Sequence, residues 1–115
     1  MPHIIVEYAE KNLDDTQVSA ILQVIHQAIA DSGLFKAEQI RTRAYPFRHF
    51  SNAGGSEPYM HVQARIKSGR DDENKKQLSK VILSGIGRLK LTVTSVITVE
   101  VIDMHRDSYA KFTES

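Results

Sequence analysis

Apolar positions along the chain recur with two different periods, and the switches between them mark the elements. Residues Ile4 to Tyr8 form a β-branched and aromatic run that predicts a strand. Leu13-Asp14-Asp15-Thr16 then supplies acidic and hydroxyl groups suited to capping a helix and favouring its positive end. Val18, Ile21, Leu22, Ile25 and Ile29 follow at helical spacing, so one face of that helix is apolar. Asp31-Ser32-Gly33 ends it, with Gly33 suited to the left-handed position after a helix. Gln39 to Tyr45 alternates as a strand does, Ile40, Thr42 and Ala44 pointing one way and Arg41, Arg43 and Tyr45 the other.

Pro46 to Pro58 breaks the pattern. It contains Ser51-Asn52-Ala53-Gly54-Gly55-Ser56 and is long enough to imply a role in binding or subunit contact. The order then repeats. Met60 to Lys67 reads as a strand, Ser68-Gly69-Arg70-Asp71-Asp72 as a turn into a helix, and Leu78, Val81, Ile82, Ile86 and Leu89 as its apolar stripe. Val96 to Ile102 is a final strand, and Asp103 to Ser115 a polar tail in which Tyr109-Ala110-Lys111-Phe112 could add a short edge strand.

The two halves superpose at a constant offset. Asp14 falls on Asp71, Asp15 on Asp72, Val24 on Val81, Ile25 on Ile82, Ile29 on Ile86 and Ile40 on Ile97. This predicts one domain over residues 1–115, an α/β (α+β) fold with pseudo-repeats of about 2–45 and 59–102. Helical crossovers favour parallel strands within each unit, and two units give a four-stranded sheet with both helices on one face. Ile97, Val99 and Val101 alternate with Val96, Thr98 and Ile102, so burying one set exposes the other. An apolar second face of that kind predicts a homo-oligomer that covers it.

Composition narrows the function classes. Net charge is +1 with both signs mixed along the 115 residues, which argues against a nucleic-acid binder. There is no cysteine, hence no disulfide or thiolate chemistry. No window approaches the roughly 20 apolar residues of a membrane span, and Glu7 interrupts an N-terminal run without a basic segment before it. A soluble, cytoplasmic protein is the expectation.

Candidate chemistry begins with Pro2. If Met1 is removed, Pro2 becomes a free secondary amine on the end of a strand, a base that burial and nearby cations would tune toward neutral pH. Proline at this position also simply favours methionine removal. Arg41 and Arg43 share one strand face and could clamp carboxylates, or could be edge-strand charges. Arg70 sits where a strand turns into a helix, a junction that favours anions, although Asp71 and Asp72 could pair with it or cap the helix. The histidines His3, His26, His49, His61 and His105 show no metal-ligand spacing; His61, on a strand near the loop, is the one of interest. Gly85-Ile86-Gly87 lies inside a helical pattern, which speaks against a nucleotide fingerprint.

Met1-Pro2-His3-Ile4-Ile5-Val6-Glu7, Ile40-Arg41-Thr42-Arg43 and Ile66-Lys67-Ser68-Gly69-Arg70, in a duplicated β-α-β chain, resemble the tautomerase superfamily, and within it the 5-carboxymethyl-2-hydroxymuconate isomerases. The resemblance implies a homotrimer with sites near subunit interfaces. It implies that Pro2 shuttles a proton, that Arg41 and Arg70 bind carboxylates and steady the developing oxyanion, and that Arg43 assists. It further implies ketonisation of a dienol acid from homoprotocatechuate breakdown, with no cofactor and no metal. Two alternatives remain at this level: an enzyme of the same superfamily acting on another unsaturated acid, and a non-catalytic oligomeric binding protein on the same fold.

Overall fold

The computed structural model describes residues 1–91, 94 and 96–114. Four strands and two long helices follow in the order β1 (His3–Ala9), α1 (Asp15–Ser32), β2 (Arg41–Phe47), β3 (Tyr59–Lys67), α2 (Asp72–Gly87) and β4 (Val96–Met104). The sheet order is β2-β1-β3-β4. β1 pairs with β2 and β3 with β4 in parallel, as crossover helices require, while the two central strands run antiparallel. Each half is thus a strand–helix–strand unit.

Local chemistry sets the helix ends. Asp14 accepts from the Gln17 backbone N–H at 2.8 Å, and the Gln17 side chain accepts from the Asp14 N–H at 2.9 Å, a reciprocal capping box. Gly33 closes α1 at φ 78°, a conformation that glycine adopts without steric cost. Asp71 caps α2 by accepting from Asn74 N–H at 2.8 Å.

Both helices pack on one side of the sheet. Ile21, Ile25 and Ile29 of α1 and Leu78, Ile82 and Ile86 of α2 meet Ile4, Val6, Met60, Val62, Ala64 and Ile66 in a core closed to solvent. α2 also presses Gly85 against Ala28, where a side chain would not fit freely. Leu89, expected on the α2 stripe, lies beyond the helix end yet still packs on the core.

The second sheet face differs from the apolar surface that alternation predicted. Register places Ile5, Tyr45, Phe47, Tyr59, Val96, Ile102 and Met104 on that side, among His3, Glu7, Arg41, Arg43, His61, Gln63, Arg65, Lys67, Thr98 and Glu100. Apolar side chains are present, but charged and polar ones outnumber them. The apolar alternation of β4 does not extend over the centre of the sheet, where His61, Gln63, Arg65 and Lys67 of β3 lie.

Two boundaries also shift. β2 runs on to Phe47 and includes Pro46, which an edge strand tolerates because no neighbour needs its missing N–H. The expected edge strand over Tyr109-Ala110-Lys111-Phe112 does not form. The tail instead makes a short 3-10 turn, Arg106–Ser108, and folds back toward the start of β1. Among the described residues no helix is long and apolar enough to cross a membrane.

Candidate active site

Pro2 immediately precedes β1, and its side chain is fully buried. Its carbonyl accepts from the Arg41 N–H at 3.0 Å, which ties the start of β1 to the start of β2. Parallel pairing then sets His3 beside Arg41 and Ile5 beside Arg43. Antiparallel pairing sets His3 beside Arg65 on β3, which leaves Lys67 and the Ser68-Gly69-Arg70 turn at the same end of the sheet. Topology alone therefore gathers cations from three segments around the N-terminus.

The electrostatics follow. The N-terminal amine is held below its ordinary value of 8.0, first by burial and then by the charges of Lys67, Lys111, Arg41 and Arg70. His3 is held below 6.5, again by burial first, then by Arg43, the N-terminal charge, Arg41 and Arg65. In a chain of net charge +1, this end concentrates positive charge.

The arginines differ in how they are held. Arg41 is exposed and donates Nη1–H to the Glu38 carbonyl at 3.0 Å. The Arg70 guanidinium lies over the Phe35 ring, 4.1 Å from its centroid, a cation–π contact that engages its face, and it has no ion-pair partner among the described residues. Asp71 does not take Arg70 as its partner: its carboxylate caps α2, so that helix start is already supplied with an anion of its own. Arg43 turns to His3, donating from Nη1 to Nδ1 at 3.2 Å. The joint clamp expected of Arg41 and Arg43 is therefore divided in this chain.

The turn bearing Arg70 is fastened to the tail. Ser68 N–H donates to the Met104 carbonyl at 2.8 Å, Arg106 N–H donates to Ser68 Oγ at 3.1 Å, and Arg106 Nε–H donates to the Ser68 carbonyl at 3.0 Å. Gly69 between them has φ 121°, which a larger residue adopts only under strain.

Residues set aside in the sequence enter here. His3 bonds Arg43 and Tyr109, Phe35 supports Arg70, and Lys67 and Lys111 act on the N-terminal amine. His3 and Lys67 adjoin the quoted motifs, a signal that adjacency could have given. Tyr109 carries no such signal, since its partner lies 106 residues away.

Other candidates fall elsewhere. His61 bonds Thr98 Oγ1 at 2.6 Å and Glu100, a cross-strand cluster between β3 and β4 on the second sheet face. The loop from Pro46 to Pro58 closes through paired Asn52–Gly55 backbone bonds of 3.0 and 2.9 Å and an aromatic group of Phe47, Phe50 and Tyr59. It lies at the end of the sheet opposite Pro2, because Phe47 is paired with Ala9. It therefore does not line the Pro2 site of its own chain. A hollow of 690 Å³ on the flank of α1, lined by Gln23, His26, Thr42 and Leu89 among others, lacks the proline and arginines, and His26 there is already bonded to the Ala37 carbonyl. No group of acidic, histidine or cysteine side chains among the described residues could hold a metal ion.

The profile of the 5-carboxymethyl-2-hydroxymuconate isomerase family matches residues 2–102. The 5-carboxymethyl-2-hydroxymuconate Delta-isomerase of Escherichia coli is 25% identical over 84 residues, covering 71% of this chain and 67% of that protein. A 5-carboxymethyl-2-hydroxymuconate isomerase structure from Deinococcus radiodurans R1 superposes with a TM-score of 0.81 at 22% identity, over 98% of this chain and 90% of the other. A fused 4-OT protein solved as an asymmetric trimer superposes at 0.79 with 18% identity, over 95% and 91%. At such identities the superpositions establish a shared fold, and the profile carries the membership. The chain belongs to the 5-carboxymethyl-2-hydroxymuconate isomerase family and is an isomerase.

Proposed function

We propose that this protein ketonises a 5-carboxymethyl-2-hydroxymuconate-type dienol acid, with Pro2 as the proton shuttle once Met1 is removed. The observation that carries this reading is the gathering of Lys67, Lys111, Arg41 and Arg70 around a buried chain start. The same burial and cations, acting on a prolyl amine, would lower its pKa toward the working pH, where a general base is most effective.

The reaction balances without a cofactor. The Pro2 nitrogen takes the proton of the 2-hydroxyl, and the oxygen lone pair forms the C2=O bond. The C2=C3 electrons move to C3=C4, and those of C4=C5 accept a proton at C5 from the prolyl ammonium. Charge on the developing oxyanion and on the substrate carboxylates is met by Arg41 and Arg70. Arg43 contributes through His3 and the local field rather than by a free guanidinium.

We further infer that the working unit is a cytoplasmic homotrimer in the breakdown of homoprotocatechuate. The mixed second sheet face and the trimeric fold neighbours support assembly.

Intact mass of protein from its native host, followed by ketonisation kinetics on the dienol, tests the reading. Loss of Met1 is expected. Pro2→Ala should lower kcat by about 100- to 10,000-fold, the usual contribution of a positioned acid–base group. Arg41→Ala should chiefly raise KM. Retained Met1, or full activity in Pro2→Ala, would overturn the proposal and leave a binding role.

A further inference from the structure

The tail supplies a group that the proposed proton shuttle does not use. Tyr109 Oη lies 3.2 Å from His3 Nε2, and His3 Nδ1 lies 3.2 Å from Arg43 Nη1. A guanidinium can only donate, so Nδ1 is the acceptor and His3 is neutral with its proton on Nε2. Nε2–H therefore donates to the Tyr109 oxygen. That leaves the phenolic O–H of Tyr109 undirected by His3, and it has no acceptor among the described residues.

Its neighbours are also donors. Lys67 Nζ lies over the Tyr109 ring, 5.2 Å from the centroid, and has no carboxylate partner among the described residues. Lys111, two residues past Tyr109, adds its charge at the same chain start. A half-buried phenol and two ammonium groups with no ion-pair partner among the described residues form a set that an incoming carboxylate would satisfy. The set is built, because Arg106 pins the base of the tail to Ser68 through two hydrogen bonds.

We propose that Tyr109, with Lys67 and Lys111, forms a carboxylate subsite contributed by the C-terminal tail and separate from that of Arg41 and Arg70. It rests on the reading that a polycarboxylate is held at Pro2, and it deepens that reading by assigning a place to a third carboxylate. The subsite selects a tricarboxylate dienol over a dicarboxylate one. Tyr109 is then a specificity-determining residue, and the tail is part of the site.

Binding of inert acids tests this apart from turnover. Tricarballylate, with three carboxylates, and glutarate, with two, are titrated calorimetrically into wild type, Tyr109→Phe and Lys67→Gln. Wild type should prefer tricarballylate by roughly tenfold, the scale of a hydrogen bond to a charged group. Both variants should lose most of that preference, and Tyr109→Phe should hold glutarate within about twofold of wild type. Tyr109→Phe keeps the ring and removes only the hydroxyl, and Lys67→Gln provides a second reading if the phenol also steadies the tail. An unchanged preference in both variants, equal weakening of both acids, or no preference in wild type would overturn the subsite. Ketonisation of the dienol is measured in parallel. Tyr109-dependent tricarballylate binding in a protein that does not ketonise would retain the subsite and refute the proposed reaction.

Discussion

Gly85 and Gly87 stand two residues apart on α2, and replacing each by alanine should move stability in opposite directions. Alanine gains up to about 1 kcal/mol over glycine in a helix interior, less at the last turn where Gly87 sits. At Gly87 a methyl group meets nothing within 4 Å, so only that gain is expected. At Gly85 the same methyl would lie 3.2 Å from Ala28 Cβ and 3.4 Å from the Val24 carbonyl oxygen. Both atoms belong to the backbone or first side-chain carbon of α1, so neither can rotate away; the helices must separate. Overpacking of this sort costs about 1–3 kcal/mol, enough to exceed the helical gain. We expect Gly87→Ala to stabilise by about 0.5 kcal/mol and Gly85→Ala to destabilise by about 1 kcal/mol, so the difference between them isolates the steric contribution. Equilibrium urea unfolding at one fixed protein concentration reads both, the concentration being held because assembly shifts apparent stability. A Gly85→Ala protein as stable as Gly87→Ala would refute the close helix approach as a source of specificity in this core.

Three further outcomes are expected. His3 has its folded pKa below 6.5, so as pH falls from 6.5 toward that value the unfolded chain binds a proton that folded His3 resists; stability drops in that window and is unaffected above it. Burial is the first cause, followed by the charges of Arg43, the N-terminal amine, Arg41 and Arg65, and urea midpoints at pH 7.5 and 5.5 should differ less in His3→Gln than in wild type. Gly69→Ala forces a side chain into φ 121° beside Arg106 and should cost about 1–3 kcal/mol while raising KM through displacement of Arg70, checked by unfolding and steady-state kinetics. Asp14→Ala removes the capping box of α1 and should cost about 1 kcal/mol, seen as a lower thermal midpoint with kcat unchanged.

What the sequence determined by itself is the set of properties that local chemistry controls. Period and capping residues placed both helices, with Gly33 at the end it was assigned and Asp14 capping α1, while Asp71, left open between capping and pairing with Arg70, caps α2. β-branched runs placed the strands, and the equivalence of Ile25 with Ile82 and Ile29 with Ile86 anticipated two helices that meet one sheet in the same way. The placement of Pro2 and Arg41 at strand starts and of Arg70 at a strand–helix turn was legible in the same way. Tertiary structure alone decided the rest. The second sheet face is set by cross-strand register over four strands, so the alternation of β4 could not stand for His61, Gln63, Arg65 and Lys67. Arg43 is diverted to His3, Arg70 is stacked on Phe35, and Tyr109 reaches back to β1. Each of those contacts joins residues far apart in the chain, where no period or motif carries a signal, and only the closed sheet brings them within hydrogen-bonding or stacking distance.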